Sequence, residues 1–126
     1  MANTITVTAC DNQIIFYAFQ SDCSYEILHI QSGNSNTVDV TLNITAGTFS
    51  GCIELNGITS TLSVTDTVSL PSGDYKVGFV GINWDGTPQF TGTINAYSFN
   101  SGTSTSATGP VYGLTAHDPA VILSVY

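Results

Sequence analysis

The chain has 126 residues, of which 42% are hydrophobic and only 8% charged. That length fits one domain, with enough apolar material to fill a core without metal or disulfide support. Nine carboxylates against one cation, Lys76, give a formal net charge of −8, which excludes nucleic-acid binding by phosphate neutralisation and attraction to anionic lipid.

Thr, Ser, Asn and Gly supply most of the polarity. Disordered chains combine low hydrophobicity with high charge, and this one has neither. No run of 18 apolar residues is present, so no membrane insertion is expected. The opening Met1-Ala2-Asn3-Thr4 lacks the basic and apolar regions of a secretion leader.

In chain order, Ile5, Val7 and Ala9 alternate with Thr4, Thr6 and Thr8, a strand with one apolar face. Asp11-Asn12 reads as a turn. Ile14 to Phe19 is a continuous apolar run, the pattern of a strand buried on both sides. Ser21-Asp22 breaks it, and Tyr25 to Ile30 predicts a third strand. After the polar loop Gln31 to Asn36, Val38, Val40, Leu42 and Ile44 point one way, and Asp39, Thr41, Asn43 and Thr45 the other. Ala46-Gly47 ends that strand.

Cys52 to Leu55 and Ile58 to Val64 flank Asn56-Gly57, a strong hairpin signal, because both central residues tolerate positive φ. A strand near Thr67 to Leu70 leads to the turn Pro71-Ser72-Gly73-Asp74. Tyr75, Val77 and Phe79 then alternate with Lys76, Gly78 and Val80. Asn83 to Pro88 is a loop, Phe90 to Phe99 a long central strand, and Asn100 to Pro110 an exposed low-complexity stretch. Val121 to Val125 closes the chain as a strand.

Helical periodicity is absent. Eight to ten short strands with regular turn signals predict an all-β fold, an antiparallel β-sandwich of jelly-roll type, with an immunoglobulin-like sandwich as second choice. Residues 1–126 form one such domain, and the N-terminal strand 2–9 is exchangeable between subunits.

The odd number of cysteines leaves at least one of Cys10, Cys23 and Cys52 outside any internal bridge. A buried free thiol, a Cys10–Cys23 bridge across the first hairpin and an intersubunit bond all remain open.

Catalytic constellations are thin, so no enzyme and no catalytic residue are expected. His29 sits mid-strand, and His117-Asp118-Pro119 has the make-up of a turn. There is no Gly-x-Ser-x-Gly, phosphate-cradling loop or His-Glu-x-x-His. Two histidines without Cys-x-x-Cys offer no zinc set, and no metal or cofactor is expected. The oxygens of the Trp84 loop would suit Ca²⁺ at most weakly. That loop is the candidate recognition element: Trp84 offers a stacking face to a sugar, with Asn83 and Asp85 to bond its hydroxyls. Asn43-Ile44-Thr45 matches the glycosylation sequon.

Sheet proteins usually guard their edge strands with lysine, proline or inward charge. Here one Lys and four Pro serve the whole chain, and residues 2–9 form a bare terminal strand suited to β-augmentation. In composition the chain resembles virion fibre heads, capsid-decorating jelly rolls and surface-filament subunits, a likeness shared with bacterial lectins. The expectation is a structural, self-assembling subunit of a virion or extracellular filament, joined to copies of itself by strand pairing. Ile5, Val7 and Cys10 are the expected assembly elements. An oligomeric glycan-binding module using Asn83, Trp84 and Asp85 is the alternative.

Overall fold

A computed structural model describes residues 3–33, 36–57, 62–82, 89–100, 111–115 and 122–126. Among these the regular structure is strand, with no helix. The strands are β1 (Asn3–Cys10), β2 (Gln13–Phe19), β3 (Ser24–Gln31), β4 (Asn36–Ala46), β5 (Ile53–Asn56), β6 (Ser63–Leu70), β7 (Gly73–Ile82), β8 (Phe90–Ile94), β9 (Tyr97–Asn100), β10 (Val111–Thr115) and β11 (Ile122–Val125). One sheet, A, has the order β6-β4-β1-β8-β9. The other, B, has β10-β7-β2-β3-β5, with β11 also on β7. The two pack face to face as the expected β-sandwich.

The two orders match position by position. β1 runs into β2, β3 into β4, β5 into β6, β7 into β8 and β9 into β10, and each pair occupies the same rank in opposite sheets. The described strands therefore lie as five pairs, or ribbons, with one member in each sheet, as though one sheet had been folded in half. One end of the sandwich is the fold, and the other is open. Backbone bonds tie the ribbons together at the fold: Asp11 N to Gln89 O at 3.1 Å, Ser32 N to Asn12 O at 2.8 Å, Gly57 N to Gln31 O at 2.9 Å, and Asp39 N to Leu62 O at 2.9 Å. Asn12 turns there with φ 63°, which Asn tolerates because its short side chain can bond locally. Its amide donates to the carbonyl of Gly33.

The β5–β6 ribbon lies parallel to β3–β4, an addition to the antiparallel pairing expected throughout. Residues 47–52 and 71–72 carry the chain from sheet A to sheet B at the open end, so the ribbon returns in the same direction. The Asn56-Gly57 hairpin is overturned by this arrangement. β5 and β6 belong to opposite sheets, and among the described residues positive φ outside glycine occurs at Asn12 and Asn95 instead. Asn95 (φ 52°) and Ala96 turn β8 into β9, with Ile94 opposite Tyr97. The long strand expected over Phe90 to Phe99 is thus a hairpin.

The core lies between the sheets and follows the alternation closely. Val38, Val40, Leu42 and Ile44 are buried from sheet A, and Tyr75, Val77 and Phe79 from sheet B. A ring cluster of Phe16, Phe79 and Phe99 joins the layers, with centroids 4.9–5.9 Å apart. Two bulges adjust the faces. Between Val7 and Ala9 the register slips, so Cys10 rather than Ala9 enters the core. Opposite Phe16 and Tyr17, β3 carries the extra residue Ile27, which lets Ile27 and Leu28 both be buried. At Gly92 a Cβ would run into the Thr6 carbonyl and come within 2.8 Å of the Phe99 ring, so only glycine fits that closely packed strand.

Candidate functional site

The expected assembly joint is not where the sequence suggested. β1 is the central strand of sheet A, paired with β4 on one side and β8 on the other. Ile5, Val7 and Cys10 have no exposed surface. A strand with both edges bonded and its apolar face in the core offers no free edge for β-augmentation, and the described part of the segment expected as a free ribbon over 2–9, residues 3–9, lies in the middle of the sheet. Its first residue helps close the open end: Asn3 donates to the carbonyl of Ser124 on β11 at 2.8 Å and accepts from Asn95 at 2.9 Å.

The three cysteines are free. Cys10 lies at the fold and Cys23 near the open end, with the whole of β2 between them, roughly 23 Å of strand. A disulfide needs Cα atoms within about 7 Å, so the Cys10–Cys23 bridge is ruled out. Burial pushes the Cys10 thiol up to about 12, the Ser32 hydrogen bond opposing it and the Asp11 charge adding to it. As a buried neutral thiol, Cys10 cannot form an intersubunit bond without unfolding. Cys23 is exposed.

Asn83, Trp84 and Asp85 lie outside the described residues, as do His117 and Asp118. His29 points outward from sheet B and bonds Gln13 Oε1 at 2.8 Å, a satisfied surface pair. Asn43 lies outward on sheet A and accepts from Thr4 at 3.3 Å. Among the described residues no three His, Cys, Asp or Glu side chains gather as a metal site would require.

Among the described residues the edge strands are β5, β6, β9, β10 and β11. Several are guarded. β5 and β9 have four residues each, too short to template a partner well. On β6, Asp66 stands in register with core residue Leu42, an inward-side charge of the kind that blocks edge pairing.

The outer faces of the two sheets differ sharply. Sheet A presents hydroxyls and amides across all five strands, among them Thr6 on β1, Thr41 on β4, Thr65 on β6, Thr93 on β8 and Ser98 on β9. Thr8 and Thr91 bond one another at 2.7 Å across that surface. Sheet B presents the outward half of the apolar run. Ile15, Tyr17 and Phe19 of β2 point away from the core while Ile14, Phe16 and Ala18 point into it. Ile15 stands opposite Val80, and Ile82 opposite Gln13. All five outward apolar residues (Ile15, Tyr17, Phe19, Val80 and Ile82) keep part of their surface in solvent.

Polar groups rim this apolar centre. Tyr17 is paired with Glu26 on β3, and the Cys52 thiol donates to Glu26 Oε2 at 3.3 Å. Burial first, then the Glu26 hydrogen bond and the Glu26 and Glu54 charges, push Cys52 up to about 12. Burial and the charges of Glu26 and Cys52 likewise raise the Tyr17 phenol. Both groups stay neutral at physiological pH, so the centre of the face carries no charge and the carboxylates lie around it. Sequence reasoning read the Ile14–Phe19 run as buried on both sides but did not carry that reading to a surface; the signal was the run itself.

No family model matches this chain, and comparison with curated proteins and with solved structures finds no similar protein, so the reading rests on its own residues.

Proposed function

We propose that this protein is a structural, self-associating β-sandwich subunit, of a virion or an extracellular assembly, whose copies meet through the outer face of sheet B. The observation that carries this is β2: apolar on both sides and at the centre of its sheet, with its outward residues Ile15, Tyr17 and Phe19 only partly covered by the described residues. A strand with this pattern is normally buried on both faces, and an apolar patch rimmed by polar groups is the mark of a protein contact. The outward apolar residues lie on two neighbouring strands, β2 and β7. At about 4.8 Å per strand and about seven residues of length, that strip covers roughly 220 Å². It forms the apolar centre of an interface whose polar rim makes up the rest of the ~800 Å² each partner brings. The apolar centre, Ile15 and Tyr17 of β2 with Val80 and Ile82 of β7, can meet its own copy without desolvating an ion, since Glu26 and Glu54 lie to its β3–β5 side. Face-to-face contact thus replaces the strand exchange expected from the N-terminal segment.

Light scattering after size exclusion tests this with two substitutions of equal charge. Ile15→Lys, at the centre of the sheet B face, is expected to give a monomer with an unchanged circular dichroism spectrum. Thr6→Lys, at the centre of the sheet A face, is expected to leave the oligomer intact. A monomeric wild type, or an oligomer lost in Thr6→Lys and kept in Ile15→Lys, would overturn the reading.

A further inference from the structure

At its open end, sheet B carries a hollow of about 530 Å³. Its floor is three side chains from neighbouring strands, Phe19, Lys76 and Ile122, held abreast because Lys76 pairs with Phe19 on one side and Ile122 on the other. One wall is the turn between β2 and β3, closed by Gln20 N to Cys23 O at 2.8 Å, which brings Gln20, Ser21 and Asp22 to the rim. Asp74 of β7 lines it as well. Gln20 is held in place: its amide donates to the Asp74 carbonyl at 3.3 Å and lies over Gly73, where a Cβ would come within 2.5 Å of it. Ile122, 44% exposed and one of the two large hydrophobics exposed among the described residues, lines the hollow.

We propose that this hollow is a binding site for a neutral saccharide. A pyranose needs an apolar surface for its C–H face and both donors and acceptors for its hydroxyls. Phe19 and Ile122 provide the first. Asp22 and Asp74 accept, Lys76 donates, and Gln20 and Ser21 can do either. The chain's one cation lines the hollow together with two carboxylates, so the hollow offers ionic hydrogen-bonding groups of both signs. The net charge of −8 repels an anionic ligand. Its volume lies within the ~300–1,000 Å³ range of small-molecule pockets. The site is separate from the Trp84 loop in sequence; it shares Phe19 with the apolar face of sheet B, at the open end of that face, and the inference does not depend on self-association.

The test is titration of the ¹⁵N-labelled protein with methyl α-D-mannoside, methyl β-D-galactoside, methyl α-L-fucoside and N-acetylglucosamine. At least one probe is expected to shift the Gln20, Ser21, Asp22 and Lys76 amides saturably. Asp22→Asn, on an exposed turn, and Asp74→Asn should each weaken that probe on the order of tenfold, the scale of one hydrogen bond to a charged acceptor. Ile15→Lys should bind it as the wild type does, which separates this site from the assembly face. The proposal is overturned if no probe shifts these amides up to its solubility limit, or if the shifts fall elsewhere. Shifts that survive in both Asp variants overturn it too, as does a larger effect of tetramethylammonium on the same amides, which would make the hollow a cation site.

Discussion

Ile5→Ala separates a central β1 from a terminal joint, because the two placements predict opposite outcomes. In the folded chain Ile5 is fully buried, opposite Leu42 on β4 and Ile94 on β8, both themselves in the core. Truncating it removes three methyl or methylene groups from a site whose backbone is bonded on both edges and cannot collapse to fill the space. Such substitutions cost about 2–5 kcal/mol, and about 3 kcal/mol is expected here. Unfolding entropy of about 2.1 cal/mol/K per residue then places the loss of melting temperature near 10 °C. A domain of this size has about 5–15 kcal/mol in hand, so the variant folds. Urea titration followed by tyrosine fluorescence should give a lower midpoint with an unchanged m-value, while the oligomer distribution at low temperature matches the wild type. If Ile5→Ala leaves the midpoint in place and instead dissociates the oligomer, β1 is a joint between copies and the central placement fails.

Gly92→Ala should cost at least the ~1–3 kcal/mol of ordinary overpacking, because the added carbon meets the Thr6 carbonyl and the Phe99 ring at once and a central-strand carbonyl has nowhere to move; chemical denaturation measures it, and a change below about 0.5 kcal/mol would contradict the strand spacing described. Ellman's reagent at pH 8 should titrate the exposed Cys23 quickly, the half-buried Cys52 slowly because its thiol is held up to about 12, and the buried Cys10 only after unfolding. Stability should be flat with respect to Cys10 below pH 9 and fall as pH rises from 9 towards 12: the unfolded thiol ionises near 9 while the buried one is held up to about 12, so alkali favours the unfolded chain. A Cys10→Ser variant with the same alkaline slope as wild type would assign that loss to other groups.

How far the sequence could be read depended on whether a feature is local. The inward faces of β4 and β7 follow from period-2 alternation, which the pleat imposes on any half-buried strand, and Val38 to Ile44 and Tyr75 to Phe79 lie as that period requires. Alternation carries no strand order, however. Thr6 pairs with Thr41 and with Thr93, and such remote pairings leave no local trace, so a strand that is terminal in sequence lies central in space. Turn chemistry misled in a related way. Asn56-Gly57 signals a place where the backbone can turn sharply, yet the flanking strands go to different sheets. Asn95-Ala96, with no glycine, makes the hairpin that a continuous reading of Phe90 to Phe99 hid. The bulge at Val7/Ala9 exchanged Ala9 for Cys10 in the core, a one-residue slip that composition does not mark. The outer face of sheet B was legible in principle: six consecutive apolar residues cannot all face one way in a strand, so three of them need a second cover.

Sedimentation velocity across protein concentration and salt tests the self-association account most directly. Copies carrying −8 each repel at long range and attract through an uncharged patch at contact, and added salt screens the first without weakening the second. The wild type should therefore shift to larger species with rising concentration, and more so at high ionic strength, while Ile15→Lys stays a single slow species throughout. A wild type that sediments as a monomer at the highest concentration in both low and high salt would contradict the account.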